Sequence, residues 1–133
     1  MNLKFEMQKG ILVARASGDF TLHDAQNSLL EILKTLESFK TKKVLVDCFQ
    51  LKGVPSMMEY FKYSDFANDE LAKPLASGKH MDLQIAYVGS NSMINIDKFG
   101  EAVAADRADK AKAFDNMDDA INWLGIGSTK YPP

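Results

Sequence analysis

From Leu22 to about Phe39, apolar residues fall at Leu22, Ala25, Leu29, Ile32, Leu33, Leu36 and Phe39, with Asp24, Glu31, Lys34 and Ser38 opposite. That is one stripe at helical spacing, and a helix with one apolar face must lay it on another element. The segments on either side have strand character. Upstream, Leu3, Phe5 and Met7 alternate with Lys4 and Glu6, the period of a half-buried strand. Lys9-Gly10 supplies a turn and Ile11 to Ala16 a second strand, so the two predict a hairpin, with Gly18 ending the run. Thr21, with Asp24 three residues on, is placed to N-cap the helix. Downstream, Val44 to Val46 is a short apolar run suited to a central strand.

The same alternation continues. After Pro55, acceptable in a helix's first turn, a second helix is expected from about Ser56 to Leu71, closed by Pro74 and Ser77-Gly78. Leu83 to Val88 reads as a strand, Gly89-Ser90-Asn91-Ser92 as a loop of N-capping residues, and 93–105 as a third helix. Ala111 to Phe114 reads as a last strand. Asp115 or Asn116 then caps a final helix that runs through Leu124 to a stop at Gly125. This order predicts an α/β fold: a mixed, mostly parallel sheet of about four to five strands, an antiparallel N-terminal hairpin and about four helices. Residues 1–126 are expected to form one domain, and 127–133, polar and proline-ended, a flexible tail.

Several functions are excluded or disfavoured at this level. The chain has 133 residues and a net charge of −2, which gives no electrostatic basis for binding nucleic acid. A single cysteine allows no internal disulfide and suits a reducing compartment. The opening MNLKFEMQKG lacks the basic start and apolar middle of a signal peptide, so a cytoplasmic setting is expected. No run approaches the ~20 apolar residues that span a bilayer. The loop after Val44–Asp47 holds no metal-ligand cluster, catalytic base or phosphate-cradling glycine pattern. Neither enzymatic activity nor a cofactor or metal is expected.

Four phrases stand in order along the chain: ARASGDFT (Ala14 to Thr21), VLVD (Val44 to Asp47), IAYVGS (Ile85 to Ser90) and KAFDNMDDAINWL (Lys112 to Leu124). With the opening hairpin they cover roughly residues 3–126 and resemble the STAS superfamily, within it the SpoIIAA-like branch. The resemblance implies a mixed sheet flanked by helices and no catalysis. In the anti-sigma-factor-antagonist branch, a serine at the start of the second helix is phosphorylated by a partner kinase, which switches binding to that partner. Counting without gaps from Asp47 puts that serine on Ser56. The branch carries Asp-Ser-(Ser/Thr)-Gly there, whereas this chain reads Pro55-Ser56-Met57-Met58. The acid is missing, and Met58 replaces a glycine that would let a partner's backbone approach closely. Proteins resembling the SpoIIAA-like branch have been compared with lipid-binding CRAL-TRIO domains, which implies a hydrophobic ligand or membrane association, with the middle helices as a gate.

On a helical wheel Met57, Tyr60, Phe61, Ser64, Ala67 and Leu71 share one face of the second helix and are expected against the sheet. Met58, Tyr63 and Phe66 project from other sides, so one buried face cannot cover them all. They either pack under a neighbour or form an exposed patch of the kind that marks interaction surfaces. The third helix repeats this, with Met93, Ile96, Phe99, Gly100 and Val103 inward and Ile94 off the stripe. Gly100 costs about 1 kcal/mol relative to Ala and suggests close packing or a hinge. Separation of the two helices would open a hydrophobic cleft lined by Met57, Met58, Phe61, Met93, Ile96 and Phe99. The favoured reading is therefore a lipid, another hydrophobic ligand or a membrane surface bound there. The alternative is a protein-interaction adaptor docking through Phe49 to Met58, with Phe49, Gly53 and Ser56 as contact or phospho-acceptor residues.

The remaining features have plainer readings. Cys48 is a small buried hydrophobe, because nothing places His23 or His80 beside it as a base. Trp123 suits a core or homodimer contact. Ordinary capping explains Gly89 to Ser92. Lys40, Lys42 and Lys43 form a solvated basic loop, with a weak membrane contact as the other option.

Overall fold

A computed structural model describes residues 1–39, 41–73, 83–90 and 111–125. The elements are β1 (Asn2–Gln8), β2 (Ile11–Asp19), α1 (Leu22–Phe39), β3 (Lys43–Lys52), α2 (Met57–Ala72), β4 (Gln84–Val88), β5 (Ala111–Phe114) and α3 (Met117–Trp123). The five strands form one sheet in the order β1-β2-β3-β4-β5. β1 and β2 pair antiparallel and every other neighbouring pair is parallel. The expected mixed α/β sheet is present. Three helices lie among the described residues. The helix expected over 93–105, with Met93, Ile94, Ile96, Phe99, Gly100 and Val103, lies outside them, as do Lys40, Pro74, Ser77, Gly78, His80, Asn91, Ser92 and the tail 127–133.

The hairpin closes through Lys9 and Gly10, both at positive φ (51° and 84°), between the paired Gln8 and Ile11. Two left-handed residues give the primed turn whose twist matches that of the strands. β2 does not end at Gly18. The register against β3 shifts between Arg15 and Ser17, Gly18 takes φ 93°, and pairing resumes to Asp19. The extra residue of this bulge lies on β3, where Asp47 to Gln50 stand against Arg15 to Ser17, and the strands bend and continue beyond it. β3 likewise runs to Lys52, well beyond the apolar Val44–Val46, because Gln50 to Lys52 pair with Ser17 to Asp19.

The α1 helix follows its apolar stripe. The Thr21 hydroxyl accepts the Asp24 N–H at 3.1 Å, and Ala25, Leu29, Ile32 and Leu36 are buried. Phe39, at the last residue, is exposed rather than packed. Both α1 and α2 cover one face of the sheet, where Leu12, Ala14, Val44, Val46, Cys48, Ile85 and Tyr87 are buried. The opposite face carries Ile11, Val13, Leu45, Ala86 and Val88, sealed by Phe114, Ala120 and Leu124. Successive strand residues thus feed two separate apolar layers.

Asn116 rather than Asp115 caps α3, accepting the Asp119 N–H at 2.9 Å. Gly125 (φ 83°) supplies the stop. Lys43 is no solvated loop residue: it begins β3, and its ammonium donates to the Leu124 carbonyl at the end of α3. A cation there satisfies a carbonyl that has no partner within the helix. Trp123 is a core contact, its ring 5.9 Å from that of Phe114.

Candidate functional site

The segment between β3 and α2 is held at both ends. The Phe20 N–H donates to the Lys52 carbonyl at 2.9 Å, and Gly53 turns the chain with φ 102°. Pro55 is buried and stands one residue before the cap rather than in the helix's first turn. Ser56 is the N-cap: its hydroxyl accepts the Glu59 N–H at 3.1 Å, while its own N–H donates to the Glu59 carboxylate at 2.8 Å. This reciprocal capping box satisfies two donors at the start of α2. The Ser56-Met57-Met58-Glu59 spacing carried that signal in the sequence, and Glu59 is the functional partner missed there.

With both ends fixed, Phe49, Val54, Met57 and Met58 in and around this segment face solvent while Pro55 is buried. Val54 is 71% exposed, Met58 62%, and Phe49 and Met57 are exposed as well. Phe61 is 41% exposed, so the expected inward face of α2 is wrong for Met57 and Phe61. The buried stripe is Tyr60, Ser64 and Ala67, with Tyr63, Phe66 and Leu71 packed partly against the core. Tyr63 and Phe66, expected off the stripe, take inward places because α2 is rotated so that Tyr63 meets Tyr87. Met57, Met58 and Phe61 then share the outer flank. Of the residues proposed for a cleft, those three come together. Met93, Ile96 and Phe99 lie outside the described residues.

A different recess is present. It lies between α1, α2 and the sheet, with a volume of about 80 Å³. Ala16, Val46 and Cys48 form its floor, Leu29 and Ile32 one wall, and Tyr60 and Tyr63 the other. Tyr87 closes the inner end, where its hydroxyl lies 2.7 Å from that of Tyr63. Burial pushes the Cys48 thiol up to about 12, and the neighbouring Asp47 carboxylate adds to it. Burial likewise raises both tyrosine hydroxyls. These groups stay neutral, and a protonated thiol at the end of an apolar recess is no nucleophile.

On the other face, Arg15 donates to Glu6 at 2.6 Å and stands 4.0 Å from Asp47. Hydrogen bonds from Gln8 and Arg15 hold the Glu6 carboxyl below its usual range. The Arg15–Glu6 pair is exposed and of small energetic weight, and Arg15 reaches the half-buried Asp47 only at the limit of an ion pair. Among the described residues no group of three or more His, Cys, Asp or Glu could hold a metal ion. No described helix is long and apolar enough to cross a membrane. His23 contacts Asn27 on its own helix at 3.1 Å.

No family model and no curated protein sequence matches the chain. Among solved structures it is similar to an anti-sigma factor antagonist from Mycobacterium paratuberculosis, with a TM-score of 0.56 over 92% of each chain at 12% identity. The fold is therefore the STAS-type fold that the sequence phrases implied. At that identity the likeness concerns the fold.

Proposed function

We propose that this chain is a non-enzymatic protein-interaction adaptor that docks through Phe49 to Met58 and the outer flank of α2. The observation that carries this reading is the row of large apolar side chains held in solvent by a well-capped helix start, Val54 and Met58 most of all. Burying such residues against a partner releases ordered water and gains free energy, and Met adapts to varied surfaces. The shared fold with a protein named as an anti-sigma factor antagonist supports docking on a protein partner. A cytoplasmic setting suits its one buried thiol.

Ser56 serves this surface as a cap rather than as a switch. Its hydroxyl is engaged, and a phosphate there would stand beside the Glu59 carboxylate. The test is native purification of the tagged full chain beside Met58→Asp and Val54→Asp variants. A partner present in near-equal amount with the parent chain and lost from both folded variants is expected. Retention of that partner by the variants, or no partner at all, counts against the adaptor.

A second reading uses the same exposed Met57, Met58 and Phe61 as one wall of a site for a hydrophobic molecule or a membrane surface. It predicts lipid carried through gentle purification and visible by native mass spectrometry. Met58→Asp should then reduce the lipid rather than a protein.

A further inference from the structure

We infer that the recess between α1, α2 and the C-terminal ends of β2 and β3 is a binding site for the aliphatic end of a small, uncharged amphiphile. This site lies under α2, apart from the exposed flank that carries the docking reading, and does not depend on that reading.

Four observations converge on it. First, no side chain fills the space, although interiors pack nearly without voids larger than a water molecule. Second, its lining is apolar almost throughout, and the polar groups at its inner end are engaged: the Tyr63 hydroxyl with that of Tyr87, and the Cys48 thiol, weakly, with the Val46 carbonyl. A trapped water needs two to four polar partners, so a site of this kind favours hydrocarbon over water. Third, the recess is built on Ala16, Cys48 and Leu51, at the carboxyl ends of two parallel neighbouring strands. Binding residues concentrate at such strand ends, where loops are positioned by a rigid sheet.

The fourth observation concerns size and charge. An engineered apolar cavity of roughly 150 Å³ takes a benzene. At about 80 Å³ this recess seats only a few carbons, and the rest of the ligand must leave by the mouth. Among the described residues Glu59 is the one acidic residue of the lining, and its carboxylate is engaged by the Ser56 N–H. Asp24 close by is paired with the Met1 amine at 3.1 Å. Met1 also lines the recess, so both charged groups at the described lining, the Met1 amine and the Glu59 carboxylate, already have partners; no cation is left over for an anionic head, and a hydroxyl head is accepted.

The test is a methyl-resolved NMR titration of the full chain with 1-octanol below its solubility limit. Saturable shifts are expected at the methyls of Leu29, Ile32, Val46 and Leu51, together with NOEs from octanol to Leu29 and Ile32. The methyls of Val13 and Leu45, on the opposite face, should stay still. Octanoate should bind about tenfold more weakly, or worse. Ser28→Phe, which places a ring in the recess from the partly exposed face of α1, should weaken octanol binding by about tenfold or more. Absence of saturable shifts or of those NOEs in the parent chain would overturn the site whether or not the variant folds. Undiminished binding to a folded Ser28→Phe chain would do the same, and equal affinity for octanoate would overturn the neutral head.

Discussion

The hydroxyls of Tyr63 on α2 and Tyr87 on β4 meet at 2.7 Å, with their rings edge to face at 6.0 Å between centroids. Together they form a polar contact between the second helix and the middle of the sheet, inside a largely apolar layer. The two hydroxyls bond where water is excluded, so removing either one breaks a buried hydrogen bond. Tyr63→Phe and Tyr87→Phe should each destabilise the chain by about 1–3 kcal/mol. The double variant should lose less than the sum of the two. Urea unfolding of the four chains measures this, and strictly additive losses would mean the pair contributes nothing as a pair.

Alkaline pH should act through the same layer. The Cys48 thiol, ordinarily 9.0, is pushed up to about 12, and both tyrosines stand above their ordinary 10.0, in each case chiefly through burial. The folded chain therefore keeps protons that the unfolded chain gives up. The stabilisation is fully present below pH 9 and is lost as pH rises through 10 toward 12. Urea midpoints should fall steadily across pH 9 to 11, and a flat profile would contradict it. Cys48 should not react with Ellman's reagent at pH 8 until urea unfolds the protein.

Ser56 offers a separation of roles. Ser56→Ala removes the cap and should cost about 0.5–2 kcal/mol, while Ser56→Asn should cost only a few tenths. If thermal melts show the two substitutions equally harmful, the hydroxyl has work to do beyond capping.

Phe61 and Leu29 make a contrasting pair. Leu29→Ala, at a fully buried site in α1, should cost about 2–5 kcal/mol. Phe61→Ala, on the exposed flank of α2, should stay under about 1 kcal/mol. A large loss at Phe61 in urea titrations would return it to the core.

What the amino-acid order discloses differs from element to element. The limits of α1, its Thr21 cap and the strand Ala111–Phe114 were legible because their signals are local: one clean stripe, one hydroxyl at the right spacing, one short apolar run. The inward face of α2 was not. Met57, Met58, Tyr60, Phe61, Tyr63 and Phe66 put apolar atoms on most of its circumference, so periodicity admits more than one rotation. The Tyr63–Tyr87 contact, 24 residues apart in the chain, decides between them. The recess draws on Leu3, Phe20, Leu51 and Pro55, which no spacing rule connects. The length of β3 escaped for a similar reason, since its polar second half becomes a strand only once β2 lies beside it.

The strands stand across the sheet in the order in which they are synthesised. Each new strand can be laid on the free margin of a partly completed platform, beginning from a hairpin of two residues' turn. None has to be wedged between two earlier ones, an event that would demand closure of a long loop before any reward. Shortening the polypeptide from its carboxyl end would therefore peel the platform back one margin at a time, leaving its opening half, β1 to β3 with α1, still contiguous.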